Sequence, residues 1–238
     1  TKILIENSKD KKFLLIHFYE RRIRRILPAL FTLILIVYLF NFLILDKDYL
    51  ENFETSLKPT ILFYSNFYFW LENSDYFAPI NSLKILLHTW SLSIEEQFYL
   101  IYPILFIVYL KYSKKLFFIT LLFLFFTSLL FCHMSGVFEK NFPFIDFKNI
   151  NLSLGKDGFL FFLTPARIWE LLLGCIACLK ENQIKKFVKD INQIYLFFAF
   201  LIIFFFFVFG DQVTTPSPSI LTLIPLLSSC FIIIFFDP

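Results

Sequence analysis

The stretch ILPALFTLILIVYLFNFLIL, residues 26–45, contains no charged residue. A helix needs about 20 mostly apolar residues to cross the roughly 30 Å hydrocarbon core of a bilayer, so this stretch predicts a membrane-spanning helix. Five further stretches are apolar and long enough to do the same, and they cover residues 91–110, 116–134, 159–179, 193–210 and 219–236. A seventh apolar stretch, residues 59–71, is shorter.

The composition agrees with a protein that has lipid around it. Of the 238 residues, 58% are hydrophobic and 17% are charged, whereas soluble domains carry roughly a quarter charged residues. We therefore expect an all-α fold, a polytopic transmembrane helix bundle of about six spanning helices. The net charge of +3 gives no reason to expect nucleic acid. Cys175 and Cys178 have a C-x-x-C spacing without a second ligand pair nearby, so no metal site is predicted.

Residues 1–238 form a single predicted membrane domain. The chain begins with Thr1 rather than Met and stays apolar almost to Pro238. We therefore expect it to be part of a longer protein, incomplete at both ends.

Positive charge orients the predicted helices, because cytoplasmic loops carry the excess of Lys and Arg. Residues 1–25 contain eight such residues, residues 180–190 contain four and residues 111–115 contain three. This distribution predicts a multi-pass membrane protein with residues 1–25 in the cytoplasm. Helices 26–45 and 91–110 then run in opposite directions, so segment 59–71 should be a re-entrant or interfacial piece beside an outer cavity.

The segment HTWSLSIEEQFY, residues 88–99, places polar groups at the start of a predicted helix. One interpretation is a capping box, in which Ser93 and Glu96 satisfy the first backbone amides. The other is catalytic, with His88 as a general base and Glu95 as the carboxylate that orients it. The sequence pattern leaves both open. Trp90 offers a flat face of the kind on which sugars stack.

The segment RIWE, residues 167–170, puts two charges near the middle of a predicted helix. Each costs about 2.5–3.5 kcal/mol on insertion scales, while an exposed i,i+3 pair returns about 0.2–0.5 kcal/mol. Arg167 and Glu170 should therefore face the bundle interior and meet partners on other helices. They form either a structural ion pair or part of a substrate or donor path.

Four arginines fall within five residues in FYERRIRRILP, residues 18–28. Anchoring by the positive-inside rule explains basic residues here without any ligand. A cytoplasmic phosphate site is the alternative, because arginine binds phosphate in a bidentate way. Four arginines exceed what orientation needs, which favours the ligand.

Three motifs, in this order, resemble the acyltransferase 3 family, which includes membrane-bound O-acetylases of lipopolysaccharide and peptidoglycan. They are FYERRIRRILPAL at 18–30, LLHTWSLSIEEQFYLIYP at 86–103 and PARIWELLLG at 165–174. The stretch SNFYFW, residues 65–70, is similar to the loop between the first two. The resemblance covers roughly residues 13–230.

This resemblance implies an enzyme that moves an acyl group, commonly acetyl, from cytoplasmic acyl-coenzyme A to a hydroxyl of an extracytoplasmic or lipid-linked saccharide. Acyl-CoA (acetyl-CoA) is then a co-substrate, and no resident cofactor is implied. The family's R-x-x-R motif falls on Arg22 and Arg25, on the donor side. The family normally begins with a helix that bears an Arg and a catalytic His, which would precede Thr1, so His88 is expected to support catalysis.

The predicted site has three parts. His88, Glu95 and Glu96 are the predicted catalytic residues, and Arg22 and Arg25 bind the donor. The predicted polar residues of the cavity are Trp90, Ser91, Arg167, Trp169 and Glu170. A flippase or transporter for a glycan or lipid is the alternative function, because buried charges and a re-entrant segment suit it equally. A non-catalytic membrane scaffold is a third.

Overall fold

The computed structural model describes residues 1–2, 4–5, 15–44, 47–72, 84–141, 161–188, 193–209 and 219–236. All regular secondary structure within these ranges is helical, which confirms the all-α prediction. A short 3₁₀ turn, Ile220–Thr222, precedes the last helix. In chain order the helices are α1 (Leu15–Ile44), α2 (Lys47–Ile61), α3 (Ser65–Glu72), α4 (Thr89–Tyr112), α5 (Lys114–Asn141), α6 (Thr164–Phe187), α7 (Gln193–Phe209) and α8 (Leu223–Phe235).

Each of the six long apolar stretches overlaps one of the described helices. α1 begins at Leu15, earlier than residue 26, because the basic motif is itself helical. Over the described ranges, Leu15–Phe40 and Lys114–Cys132 are long and apolar enough to cross a membrane by length and composition. Helices α7 and α8 are apolar but shorter. The count of six spanning helices therefore stays a prediction.

Segment 59–71 is broken by a turn that separates α2 from α3. Phe63 has φ 55, a left-handed backbone that a bulky residue rarely adopts. α3 folds back on α2, and the Tyr68 hydroxyl donates to Thr55 Oγ1 at 3.0 Å. The position of this segment relative to a bilayer stays a prediction.

Two apolar cores hold the helices together. The larger lies between α4, α5 and α6 and includes the first turn of α1; its aromatic side chains include Trp169, Phe106 and Phe98. The smaller joins α2 and α3 to the residues before α4 and to Phe162. α6 therefore contacts both α4 and α5, which places the RIWE segment inside the bundle.

The outer surface of the helices is also apolar. α7 packs mainly against α8, and of its seventeen residues Ala199 is the one that is buried. Phe207 is 86% exposed and Ile233 is 77% exposed. An apolar surface of this extent is unusual on a soluble monomer.

Candidate functional site

One of the four clustered arginines turns into the bundle. Arg24 pairs with Glu20 at 2.8 Å on the surface, Arg21 donates to a carbonyl of its own helix, and Arg25 is exposed. The Arg22 side chain is only 25% exposed. The structure therefore separates the two arginines of the predicted donor pair, Arg22 facing inwards and Arg25 outwards.

Arg22 is held by an aromatic ring and a carboxylate of α4. Its Cζ lies 3.1 Å from the centroid of the Tyr99 ring, and its Nη1 lies 3.7 Å from Glu96 Oε1. That separation is too long for a hydrogen bond, and Glu96 Oε1 is buried without a hydrogen-bond partner among the described residues. The guanidinium is thus fixed in place by stacking while its charge is only loosely paired.

Arg22 lines a cavity of about 340 Å³ between α1, α4 and α6. This volume lies within the range of ligand sites, roughly 300–1,000 Å³. We call it the Arg22 cavity. Its lining residues are Thr1, Leu4, Phe18, Arg22, Phe98, Tyr99, Tyr102, Glu170, Leu171, Gly174, Cys175 and Cys178.

Arg167 and Glu170 both face the interior of the bundle. Their side chains are 11% and 25% exposed, and Arg167 Nη1 lies 3.1 Å from Glu170 Oε1. Arg167 Nε donates to the Phe161 carbonyl at 3.2 Å. Its Cζ also lies 5.2 Å from the Trp90 ring of α4. The pair along the helix is therefore supplemented by partners outside it, as the insertion cost requires.

The Trp90 ring is covered by protein. Phe161 lies 4.6 Å from it and Phe162 lies 5.7 Å from it, centroid to centroid. With Arg167 also against the ring, the indole is part of an aromatic and cationic cluster. A sugar could stack on Trp90 only where these neighbours leave a face open.

His88 and Glu95 lie apart from these clusters. α4 begins at Thr89, so His88 precedes the helix, and its side chain is exposed. The Ser91 hydroxyl donates to the His88 carbonyl at 3.2 Å. Glu95 is exposed, and no hydrogen bond or ion pair joins it to His88 within the described ranges. Residues 73–83, 142–160 and 210–218, which include parts of the predicted outer connections 46–90, 135–158 and 211–218, lie outside those ranges.

Trp169 belongs to the core and not to the Arg22 cavity. It is fully buried. Its backbone amide donates to Ser128 Oγ at 3.2 Å, and its indole Nε1 donates to the Ala166 carbonyl at 3.0 Å. The ring packs edge-on against Phe125. Its role in the described structure is to fix α6 against α5.

A buried network of hydroxyls joins α2, α3 and α4. Ser93 Oγ lies 2.8 Å from Ser65 Oγ, Thr89 Oγ1 donates to Ser65 Oγ at 3.1 Å, and Thr60 Oγ1 lies 3.2 Å from Thr89 Oγ1. The capping interpretation of Ser93 is therefore wrong. Because α4 starts at Thr89, Ser93 lies in its second turn and its hydroxyl contacts α3 instead.

Gln97 is the centre of an adjoining amide network. Its Nε2 donates to Asn66 Oδ1 at 2.9 Å and to the Phe63 carbonyl at 3.0 Å. Its Oε1 accepts from Thr164 Oγ1 at 2.6 Å. Asn66 in turn donates to the Phe162 carbonyl at 3.2 Å. This network, which the sequence prediction missed, ties the strained Phe63 turn to α4 and to the start of α6.

Comparison with known proteins identifies the family. The model of the acyltransferase domain family matches residues 7–237. The chain belongs to the acyltransferase 3 family. The O-acetyltransferase OatA of Staphylococcus aureus is 31% identical over 220 residues, which are 89% of this chain and 34% of that protein. The chain thus spans about a third of the length of that relative.

Two further relatives of this acyltransferase 3 chain differ in the share of each sequence that the similarity covers. An uncharacterized protein of Haemophilus influenzae is 30% identical over 98% of this chain and 91% of its own length. The peptidoglycan O-acetyltransferase OatA of Listeria monocytogenes is 33% identical over 113 residues, 48% of this chain and 18% of its own length. No solved structure matches the chain.

All three motifs of the acyltransferase 3 resemblance meet around the Arg22 cavity. Arg22 comes from the first motif, and Tyr99 comes from the second and stacks on it. Glu170 and Gly174 come from the third. Glu96, which the sequence placed with His88, lies beside Arg22 instead. The cavity is therefore the strongest candidate for a functional site in the described structure.

Proposed function

We propose that this chain transfers an acyl group, in the first instance acetyl, from acyl-coenzyme A to a hydroxyl of a cell-envelope glycan. Its family and the names of its staphylococcal and listerial relatives support this activity. The exposed apolar surfaces of α1 and α7 support a multi-pass location in the cell membrane. The basic residues 1–25 favour the cytoplasmic side for the start of the chain.

The observation that carries the proposal is the state of Arg22. It lines a cavity of ligand size, is stacked on Tyr99, and makes no hydrogen bond to any described residue. Its carboxylate neighbour Glu96 lies too far away to satisfy its N–H groups. Guanidinium binds phosphate by paired hydrogen bonds. Coenzyme A carries a diphosphate and a 3′-phosphate, so a donor phosphate is the ligand that Arg22 suits.

The proposed chemistry is nucleophilic attack by the acceptor hydroxyl on the thioester carbonyl. The new carbon–oxygen bond forms, the carbon–sulfur bond breaks, and the coenzyme A thiol leaves with a proton. A base must take the hydroxyl proton, and a neutral imidazole suits that task near pH 7. His88, with Glu95 seven residues later in the sequence, stays the proposed base within this chain. We assign Glu96 to the loose pairing of the Arg22 charge.

Binding of acyl-CoA to the full-length protein in lipid nanodiscs tests the donor site. Charge-assisted hydrogen bonds contribute about 1.5–3 kcal/mol each, so Arg22→Gln should weaken acetyl-CoA binding roughly ten- to a hundredfold. Arg24→Gln removes the same charge from the surface of the same turn and is the matched control. Arg25→Gln should lose less acetyl-CoA affinity than Arg22→Gln, since the Arg25 side chain is exposed.

The outcome separates the competing functions. Equal binding by Arg22→Gln and the wild type would refute the donor site. A flippase or transporter would ignore acyl-CoA in every variant. His88→Ala should lower the transfer rate by about 10²–10⁴ with donor binding unchanged, if His88 acts as a general base. A wild-type rate for His88→Ala would remove it from the mechanism.

A further inference from the structure

Gly174 lies in the interior of α6 and lines the Arg22 cavity. Glycine weakens a helix interior relative to alanine, because it has more conformational freedom to lose. A glycine at such a position usually answers a requirement of the backbone or of close packing.

Neither requirement holds for Gly174. Its backbone is not left-handed, so an L side chain is sterically allowed there. A Cβ built on Gly174 meets no atom of the described residues within 4 Å, so no helix among them needs the close approach. What the missing side chain leaves is open space on an exposed part of α6 that also lines the cavity.

The cavity has chemically different parts. Arg22 and Glu170 supply charge, whereas Phe18, Leu171 and the region of Gly174 are apolar or without a side chain. An acyl-CoA has a comparable division, because the pantetheine arm joins the phosphates of its nucleotide half to the thioester and its hydrocarbon chain. A donor that places its phosphate on Arg22 can therefore extend its chain along the uncharged wall of α6.

We propose that the space beside Gly174 receives the acyl chain of the donor and that the absence of a side chain at Gly174 sets the longest chain accepted. This inference rests on the proposed function, because it takes the Arg22 cavity as the donor site. It adds a specificity determinant on α6 that the donor site alone does not require.

The test compares acyl chains against side chains of increasing size. Binding of acetyl-, propionyl-, butyryl- and hexanoyl-CoA is measured with the wild type and with Gly174→Ala, Gly174→Val and Gly174→Leu. The ratio of butyryl-CoA to acetyl-CoA affinity should fall as residue 174 grows. Burial of one methylene contributes about 0.8 kcal/mol, so the ratio should drop by about fourfold for each methylene excluded.

Ala177→Leu is the matched control, because Ala177 lies on the same helix and does not line the cavity. It should leave the affinity ratio at the wild-type value. Labelling of Cys178 by a small maleimide gives a second readout, since Cys178 lines the same cavity. Butyryl-CoA should protect Cys178 from labelling in the wild type but not in Gly174→Leu.

The results distinguish two kinds of failure. If acyl-CoA binds and depends on Arg22 but the affinity ratio is the same in all Gly174 variants, the chain-length inference is wrong and the donor site stands. A wild type that accepts acetyl-CoA and excludes propionyl-CoA also overturns it. If no acyl-CoA binds to the wild type at all, the proposed function fails first. Gly174→Ala should fold in any case, because its Cβ has room.

Discussion

Replacement of Gln97 by leucine should destabilise the protein by removing the centre of its amide network. The side chain makes three hydrogen bonds of 2.6–3.0 Å, to Asn66, the Phe63 carbonyl and Thr164. Leucine is similar in length and cannot make any of them. Asn66 is fully buried, so its Oδ1 would lose its partner away from water.

The size of the effect follows from those contacts. Side-chain hydrogen bonds within membrane helix bundles average about 0.6 kcal/mol each, which gives roughly 2 kcal/mol for three. A buried group left without a partner costs about 1–3 kcal/mol, and Asn66 Oδ1 is one such group. We therefore expect Gln97→Leu to lower the free energy of unfolding by about 3–5 kcal/mol.

Reversible unfolding in mixed micelles, by titration with a denaturing detergent, measures this change. Gln183→Leu is the matched control, because Gln183 is exposed and bonds only Lys180 among the described residues. It should change stability by less than about 0.5 kcal/mol. A double-mutant cycle with Asn66→Leu isolates the Gln97–Asn66 bond. A Gln97→Leu variant as stable as the control, with no coupling to Asn66, would refute the network as a stabilising element.

Three further predictions address single contacts. Glu96→Gln should lower the KM for acyl-CoA about two- to fivefold, since an ion pair of about 0.5–1 kcal/mol no longer competes for Arg22; an unchanged KM would contradict this. Gly174→Ala should raise the free energy of unfolding by up to about 1 kcal/mol, and a loss of stability would show hidden strain. Trp90→Ala should destabilise the protein by about 2–4 kcal/mol, because Trp90 packs on Arg167; normal stability with a raised acceptor KM would instead indicate sugar stacking.

The helices were predictable because apolar stretches of about twenty residues have few alternatives to helix. Their ends were less so. α1 starts at Leu15 because a run of arginines can continue a helix. A hydropathy profile does not detect a helical turn made of charged residues. The inward direction of Arg167 and Glu170 followed from the cost of exposing charge to lipid. This free-energy cost applies whichever residues the neighbouring helices provide as partners.

The partners of the polar residues were not predictable in the same way. Ser93 fits a helix cap and a contact between helices equally well, and the difference is where α4 begins. The four arginines lie on half of one helix, and tertiary packing alone decides that Arg22 turns inwards. Small polar residues at 60, 65, 66, 89 and 93 were the available signal for the network. Their spacing identifies no partners, because the contacts span three separate helices.

The structure gives α4 an organising role that no single motif indicates. Arg22 of α1 and Arg167 of α6 each stack on an aromatic residue of α4, Tyr99 for the first and Trp90 for the second. Nine residues separate those rings, which is about 13 Å along a helix. Each arginine also has a carboxylate beside it, and Glu170, the partner of Arg167, lines the Arg22 cavity as well.

Glu170 therefore belongs to both arginine sites, one near the start of α4 and one deeper along it. Charges enclosed in an apolar bundle need partners on other helices, and this arrangement supplies them without neutralising Arg22 fully. A rigid ring holds a guanidinium in place while leaving its N–H groups for a ligand, whereas a close carboxylate would occupy them. For the proposed binding of an anionic donor, stacking is therefore the more useful of the two ways to hold an arginine.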